Sequence, residues 1–366
     1  MNLGDNTYLD KPKFMTEEVA KQVIKKISEY CKRNGVISIR IIFHGGEPLL
    51  HKPDFYKFFV SELNSSIESN QFVKYGLQTN GVYINQQWID VFKNLDIGVG
   101  VSIDGTESAT NRYRVDLKGH SAFTKIKRGV DLISVEENKN IFGGLLSVID
   151  IDNDPLETFN FLHSFNPPTI DFLLPDNNYN NPPKGKEINS KTEYYGVWLS
   201  KIFDYWFDND LSNIKIRIFE TIIHLLLGGK FSYEVLGLSP VEVLVIQTDG
   251  SYEAVDALKS TYNKATYTGK SAFDAEIEDL LDFPLIGKRL QKETQLCETC
   301  KKCDLVNVCG GGYIPHRWHS INKFDMPSIY CQDLIYIINH IKDKIFDSVE
   351  PELQNKINEI LTPIEI

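Results

Sequence analysis

From Met15 to Leu174 the chain alternates between two periodicities, and that alternation restricts the fold more than any other feature. Short runs rich in β-branched residues read as strands: Ile37 to His44, Phe72 to Thr79, Asp96 to Ile103, Ile141 to Ile149 and Ile170 to Leu174. Before and between them, Met15 to Asn34, Asp54 to Ile67, Asn85 to Leu95, Ala122 to Asn138 and Pro155 to Phe165 read as helices. Such βα alternation implies a parallel sheet or barrel. It also places ligand chemistry at the C-terminal ends of the strands. In the first helix Thr16 can cap, Glu17 and Glu18 suit the first turn, and Gly35 ends the run. Val23, Ile24, Ile27 and Cys31 share a face, so Cys31 reads as a core thiol.

Beyond Leu174 the pattern changes. Asp176 to Gly185 is rich in Asn and Pro and reads as a loop. Lys191 to Asp208 is a helix carrying Tyr194, Tyr195, Trp198, Phe203, Trp206 and Phe207, which suits core packing between domains. Ile218 to Leu227 is a further helix, closed by Gly228-Gly229. Val243 to Gln247 and Tyr252 to Val255 flank Asp249-Gly250, a hairpin signal. An amphipathic helix from Gln332 to Ile345 follows. The 366 residues suffice for one large α/β domain and a smaller one.

Five of the six cysteines lie between Cys297 and Cys331. No signal peptide is visible at Met1 to Asp5, and clustered cysteines in a large chain of this kind bind metal more often than they pair. The formal net charge of -11 argues against a nucleic-acid or anionic-membrane partner. No apolar run is long enough to span a bilayer, and the chain reads as cytoplasmic.

The strand ends carry the chemistry. The first strand runs into His44-Gly45-Gly46-Glu47-Pro48. Glycines there let a ligand approach the backbone, and Glu47 supplies one carboxylate for an ammonium group. Taken alone, an ordinary strand-to-loop turn explains it equally well. Gln78-Thr79-Asn80-Gly81 ends the second strand, with short polar side chains that bond a ligand or cap the turn. Val101-Ser102-Ile103-Asp104-Gly105 ends the third, and Leu173-Leu174-Pro175-Asp176 the last. Near the C-terminus stands Cys300-x2-Cys303-x5-Cys309, followed by Gly310-Gly311-Gly312 and Cys331. Four thiolates can hold a 4Fe-4S cluster. A structural zinc site is the alternative that spacing leaves open.

In this order, and over nearly the whole chain, these motifs resemble radical S-adenosylmethionine (SAM) enzymes with a SPASM domain. The nearest resemblance is to peptide maturases of the cyclophane-forming kind. It implies an α/β fold: a partial (β/α)6 radical SAM barrel lacking its first strand, and a small SPASM-like cysteine-rich domain. The implied division is residues 1–176 for the barrel, 177–240 for a helical bridge, 241–345 for the iron–sulfur domain and 346–366 for a tail.

The resemblance also implies roles. Gly45, Gly46, Glu47 and Pro48 would hold the amino group of SAM, with Gln78, Thr79 and Asn80 as a second wall. Ser102 and Asp104 would face SAM, although Asp104-Gly105 is also a plain turn signal. Arg114 would meet the SAM carboxylate, a surface ion pair with Asp116 being the alternative. Asp176 would face substrate and accept a proton, or simply turn the chain. Cys300, Cys303, Cys309 and Cys331 would hold one auxiliary 4Fe-4S cluster, for which Cys297 is a substitute ligand. The family run C-x2-C-x5-C-x3-C places Tyr313 at its last position here, so one auxiliary cluster is the ceiling.

The implied activity is hydrogen abstraction and cross-link formation in a ribosomally made precursor peptide, served by an electron donor protein. Neither nucleic acid nor membrane is an expected partner. A sulfatase-maturating enzyme is the rival activity, and a non-catalytic SAM- or peptide-binding pseudoenzyme the rival class. The family's C-x3-C-x2-C motif has no counterpart before Cys31. The expectation is an N-terminally truncated sequence, or else natural loss. The catalytic 4Fe-4S cluster is then expected only in a full-length form. The chain as given is expected to hold at most one cluster and not to cleave SAM reductively.

Overall fold

In the computed structural model, residues 5–116, 118–187, 191–290, 293–346 and 348–363 are described. The first four residues, where the sequence shows no signal peptide and an irregular stretch is expected to begin, lie outside them.

Helix α1 (Glu17–Arg33) starts where Thr16 Oγ1 accepts the Val19 N–H at 3.3 Å and stops before Gly35. There follow β1 (Ser38–Phe43), α2 (Pro53–Ser66), β2 (Phe72–Thr79), α3 (Gln86–Leu95), β3 (Ile97–Ser102), α4 (Glu107–Asn111), α5 (Phe123–Ile133), β4 (Phe142–Val148), α6 (Pro155–His163) and β5 (Thr169–Leu173). Helix α7 (Tyr194–Asp208) leads to the short β6 (Lys215–Ile216) and to α8 (Arg217–Leu226). All five expected strands form, and all are parallel. Strand β6 adds a sixth, so β5 is not the last. At two residues it is too short to show a periodicity. The expected helix Ala122 to Asn138 stops at Ile133, and its remainder is a separate 3-10 turn.

The sheet runs β1 to β6 in sequence order, with β1 at one edge. Its two faces differ in kind. On β3, Ile97, Val99 and Val101 are fully buried, while Gly98, Gly100 and Ser102 remain partly exposed. The buried set packs in one core with Trp88 and Phe92 of α3 and Ile126 and Val130 of α5. The register sets Gln78 beside Gly100, Ser102 beside Leu146, and Leu146 beside Asp171. The inner face thus carries small residues on β3, with Ile42, Gln78 and Leu146 packed around its glycines.

A second, antiparallel sheet holds β7 (Val245–Ile246), β8 (Ser251–Glu253) and β9 (Tyr267–Ser271). The Asp249-Gly250 hairpin forms as expected, and β9 extends it. This sheet does not stand apart. It shares a core with α1 and α2, in which Val23, Ile24 and Cys31 meet Tyr252, Ala254 and Trp318. Cys31 is a buried core thiol.

The C-terminal part contains α9 (Pro284–Leu290), α10 (Glu298–Lys301), α11 (Val306–Cys309), α12 (Cys331–Phe346) and α13 (Pro351–Ile360). Helices α7 and α12 pack closely enough that a Cβ on Gly196 would lie 2.7 Å from the Asp333 carbonyl. The Asp333 carboxylate accepts the Tyr195 and Gly196 N–H groups at 2.9 and 3.1 Å, and pairs with the buried Lys186 ammonium at 2.5 Å. Orphan N–H groups at the start of α7 are thus satisfied from a different helix. Among the described residues no helix is long and apolar enough to cross a membrane.

Candidate active site

The C-terminal ends of β1, β2 and β3 form one rim. Gly45 has φ near +131°, a conformation that excludes most side chains, and a Cβ there or on Gly46 would meet nothing within 4 Å. This backbone is bare and open. Glu47 closes the rim. Its Oε1 accepts from Leu49 N at 3.0 Å and Thr79 Oγ1 at 2.7 Å, and its Oε2 accepts from Asn80 N at 2.9 Å. The carboxylate therefore ties the exit of β1 to the exit of β2. Each carboxylate oxygen offers about two acceptor sites, so Oε2 retains one for a ligand ammonium. Tyr56 donates to the Pro48 carbonyl at 2.6 Å and fixes the turn from below.

Gln78 Nε2 donates to Ser102 Oγ at 2.9 Å across the inner face. Asp104 and Arg114 hold each other. Nε reaches Oδ2 at 2.6 Å and Nη2 reaches Oδ1 at 2.9 Å, while Oδ1 also accepts the Val148 N–H at 3.1 Å. Asp104 is buried, and its pairing joins the ends of β3 and β4. The sequence reading gave both residues to SAM. In the structure two of Arg114's nitrogens are committed to Asp104, and only its Nη1 edge is left for a ligand carboxylate. The alternative pairing with Asp116 is not formed. Asp116 instead accepts the N–H groups of Lys118 and His120 at 2.8 and 2.9 Å in its own turn.

Three further groups face this rim from the other elements. Asp256, in the turn after β8, lies 3.6 Å from His44 Nδ1 and 3.1 Å from Lys259 Nζ. Burial raises its pKa, but His44 and Lys259 outweigh burial and hold the carboxyl below its ordinary value. Asp176, just past β5, has a side chain about half exposed, yet burial by the surrounding protein pushes its carboxyl up to about 6. The carboxylate stands just past the C-terminal end of β5, close enough to Tyr313 to bear on its ionisation. Tyr313 completes the group. Its phenol is pushed far up by burial, with Asp176 and Asp256 adding and Arg289 opposing. The sequence reading missed Asp256 and took Tyr313 only as a missing cysteine. An acidic residue directly after a hairpin strand was the available signal for the first.

The five clustered cysteines are all free thiols. Cys300 and Cys309 sense each other, as do Cys309 with Cys303 and Cys331. Burial, then the neighbouring thiols, push Cys309 up to about 12 and Cys331 up to about 11. The Gly312 N–H donates to the Cys309 carbonyl at 3.1 Å, and the Gly311 and Gly312 backbone lies close enough to the sulfur to oppose part of its upward shift. Cys297 and Cys300 share a hydrogen bond that holds Cys297 down at about 6. The buried Arg317 guanidinium lies among these thiols and donates to the carbonyls of Met326 at 3.0 Å and Gln295 at 2.6 Å. Gly310 is required here, since its φ is +63° and a Cβ would lie 2.0 Å from the Gly237 carbonyl. Free thiols that are buried or partly buried beside glycine backbone are the donor chemistry of a thiolate-held metal. Among the described residues, however, no three His, Cys, Asp or Glu side chains stand at metal-binding spacing. The sulfurs share a neighbourhood and not yet a ligand set.

No family model matches the chain. It is 25% identical over 328 residues to the cysteine-type anaerobic sulfatase-maturating enzyme of Clostridium novyi, covering 87% of this chain and 82% of that one. It is 24% identical over 369 residues to the serine-type enzyme of Bacteroides thetaiotaomicron, covering 96% and 86%. Among solved structures, native anSMEcpe with bound AdoMet superposes with a TM-score of 0.76 at 22% identity, covering 94% of this chain and 90% of that one. Streptococcus suis SuiB superposes at 0.50 and 17% identity, covering 81% and 67%. The chain shares its α/β fold, with the six-stranded parallel sheet, with anSMEcpe.

Proposed function

We propose that this chain is a SAM-dependent radical enzyme that modifies a peptide, of the sulfatase-maturating kind. The observation that carries the reading is the rim: the open Gly45-Gly46 backbone, Glu47, Gln78 to Asn80 and Ser102 gather at the C-terminal ends of adjacent parallel strands. The likeness to both sulfatase-maturating types over most of the chain supports the substrate class.

In this reading Glu47 Oε2 and the open carbonyls at Gly45 and Gly46 receive the SAM ammonium. The Nη1 edge of Arg114 turns toward its carboxylate. The bonded Gln78–Ser102 pair, lying over Gly100, offers the nucleoside polar contacts along the inner face. Bound in this rim beside a reduced cluster, SAM would supply hydrogen-abstraction chemistry toward the peptide. Asp176 and Asp256 border the cleft where the peptide would lie, and each offers a carboxylate to a cysteine thiol or serine hydroxyl. Cys300, Cys303, Cys309 and Cys331 would hold an auxiliary cluster, with Arg317 offsetting its negative charge. We also propose the division into a barrel at 1–176, a bridge at 177–240 and a cysteine-rich unit at 241–345.

Cross-linking of a ribosomal peptide is the second reading. It is favoured by Asp176 at the end of β5, where the maturase resemblance puts a substrate-facing carboxylate. A form that also carries the C-x3-C-x2-C motif, anaerobically reconstituted and incubated with SAM, dithionite and a sulfatase-derived peptide, tests both. Loss of two hydrogens at the target side chain supports the first reading. Loss of two hydrogens with a new bond between two side chains supports the second. An unaltered peptide and no 5′-deoxyadenosine would count against both.

A further inference from the structure

Asp176 does not stand alone in the cleft. The imidazole of His316 lies behind it, with Nε2 4.0 Å from Asp176 Oδ1. His316 is 1% exposed, and neither ring nitrogen makes a hydrogen bond of ordinary geometry. The Pro175 carbonyl lies beside the ring but outside such geometry. A buried imidazole without a partner is costly, at roughly 1–3 kcal/mol per unsatisfied group. It persists where something over-determines it, and here three contacts do. The ring is clamped edge-on by Tyr330 at 4.8 Å and Tyr313 at 5.2 Å between centroids. The His316 carbonyl accepts the Ile329 N–H at 2.9 Å, and Tyr330 Oη donates to the Pro175 carbonyl at 2.9 Å. Both partners of the pair are thus anchored to the same segment, and neither drifts independently of the other.

We propose that His316 is a positioning residue for Asp176: its Nε2–H is aimed at the carboxylate and fixes Asp176 as an oriented anion facing the peptide. A movement of about 1 Å brings the pair from 4.0 Å to hydrogen-bond distance. The Pro175 carbonyl is the other acceptor near the ring, and it already receives the Tyr330 hydroxyl at 2.9 Å. Tyr313 and Tyr330 are neutral phenols with strongly raised pKa values, chiefly from burial. Lys186 stands 6.0 Å above the far ring, of Tyr330, and is paired with Asp333. Burial holds the His316 ring neutral, with a pKa pushed down to about 3, so it donates without adding charge. The proton leaves the substrate thiol or hydroxyl and arrives on an Asp176 oxygen, while His316 keeps its own.

The proposal rests on the functional reading above only for the identity of the substrate. Its first test needs no turnover. In 15N-histidine protein at neutral pH, His316 should be the neutral Nε2–H tautomer, and an Nδ1–H tautomer would overturn the pair. In 13C-aspartate protein, with Asp176 assigned by Asp176→Asn, His316→Phe should raise the Asp176 pKa by about one unit. His316→Gln, which keeps a donor, should restore it in part. An unmoved Asp176 in His316→Phe would overturn the proposal. If that variant does not fold, the tautomer decides. In a reconstituted form that also carries the C-x3-C-x2-C motif, His316→Phe should lose peptide product about ten-fold and shift the acidic limb of the pH profile upward. Absence of turnover in the unaltered protein would fall on the functional reading, leaving the titration to judge the pair.

Discussion

Arg114 grips Asp104 in a two-pronged ion pair, 2.6 Å from Nε to Oδ2 and 2.9 Å from Nη2 to Oδ1. The same carboxylate holds the start of the loop after β4 through the Val148 N–H. Removing one member strands the other in a largely buried place. Asp104→Asn should cost about 2–4 kcal/mol, discounted from the fully buried case because Arg114 is partly exposed. Urea unfolding midpoints measure it. A loss below about 0.5 kcal/mol would show that the pair is a surface contact.

Glu47 is expected to serve fold and ligand at once. Glu47→Gln keeps two acceptor sites near Thr79 and Leu49 but removes the charge an ammonium needs. SAM affinity, read by equilibrium dialysis, should fall about ten-fold, equivalent to about 1.4 kcal/mol. Unfolding should shift much less. Equal affinity in the two proteins would remove Glu47 from the ligand.

Two glycines separate packing from binding. A Cβ on Gly129 would lie 2.2 Å from the Gly81 carbonyl, a backbone atom that cannot swing away. Gly129→Ala should therefore cost about 1–3 kcal/mol. A Cβ on Gly100 would lie 2.3 Å from Gln78 Oε1, the mobile end of a side chain. Gly100→Ala should cost little stability, break the Gln78–Ser102 bond and weaken SAM binding several-fold. The two variants should thus rank oppositely in melting and in binding.

Asp176 sets a pH dependence with a definite sign. Its folded pKa, about 6, lies above the ordinary carboxylate value. The folded state then binds more protons than the unfolded one between those values, and stability contributed by the neutral form is lost as pH rises through that window. Asp176→Asn removes the effect. The stability difference, variant minus parent, should grow more positive from pH 4.5 to pH 7. A constant difference would mean that the cleft does not burden the carboxylate.

The cysteine cluster makes a prediction about stoichiometry. Anaerobic reconstitution should place about four irons at Cys300, Cys303, Cys309 and Cys331. Cys309→Ala should lose most of them, whereas Cys31→Ala should lose none. Retention of one zinc and no iron would identify the site as structural zinc.

The strands were legible because their β-branched runs are short and bounded by turn residues, and the register follows from one buried face. The rim was legible because Gly45-Gly46-Glu47 is a local string. What escaped the sequence was made by distance. Asp104 and Arg114 each looked like a ligand contact, and nothing local tells that they choose each other. Strand β6 has two residues and no pattern. Asp256 and His316 reach the cleft from the second sheet and from the cysteine-rich segment, so their relation to Asp176 exists only after the chain has closed.

Asp333 sits two residues after Cys331 on one helix, and its carboxylate holds the first N–H groups of α7. That helix carries Trp198 and Trp206, both buried, their indole N–H groups bonded to the Asn153 and Ile214 carbonyls at 2.9 Å. Asp333 thus ties the helix that begins at Cys331 to the start of a helix with two buried indoles, so the cysteine-rich segment and the bridge share one polar joint.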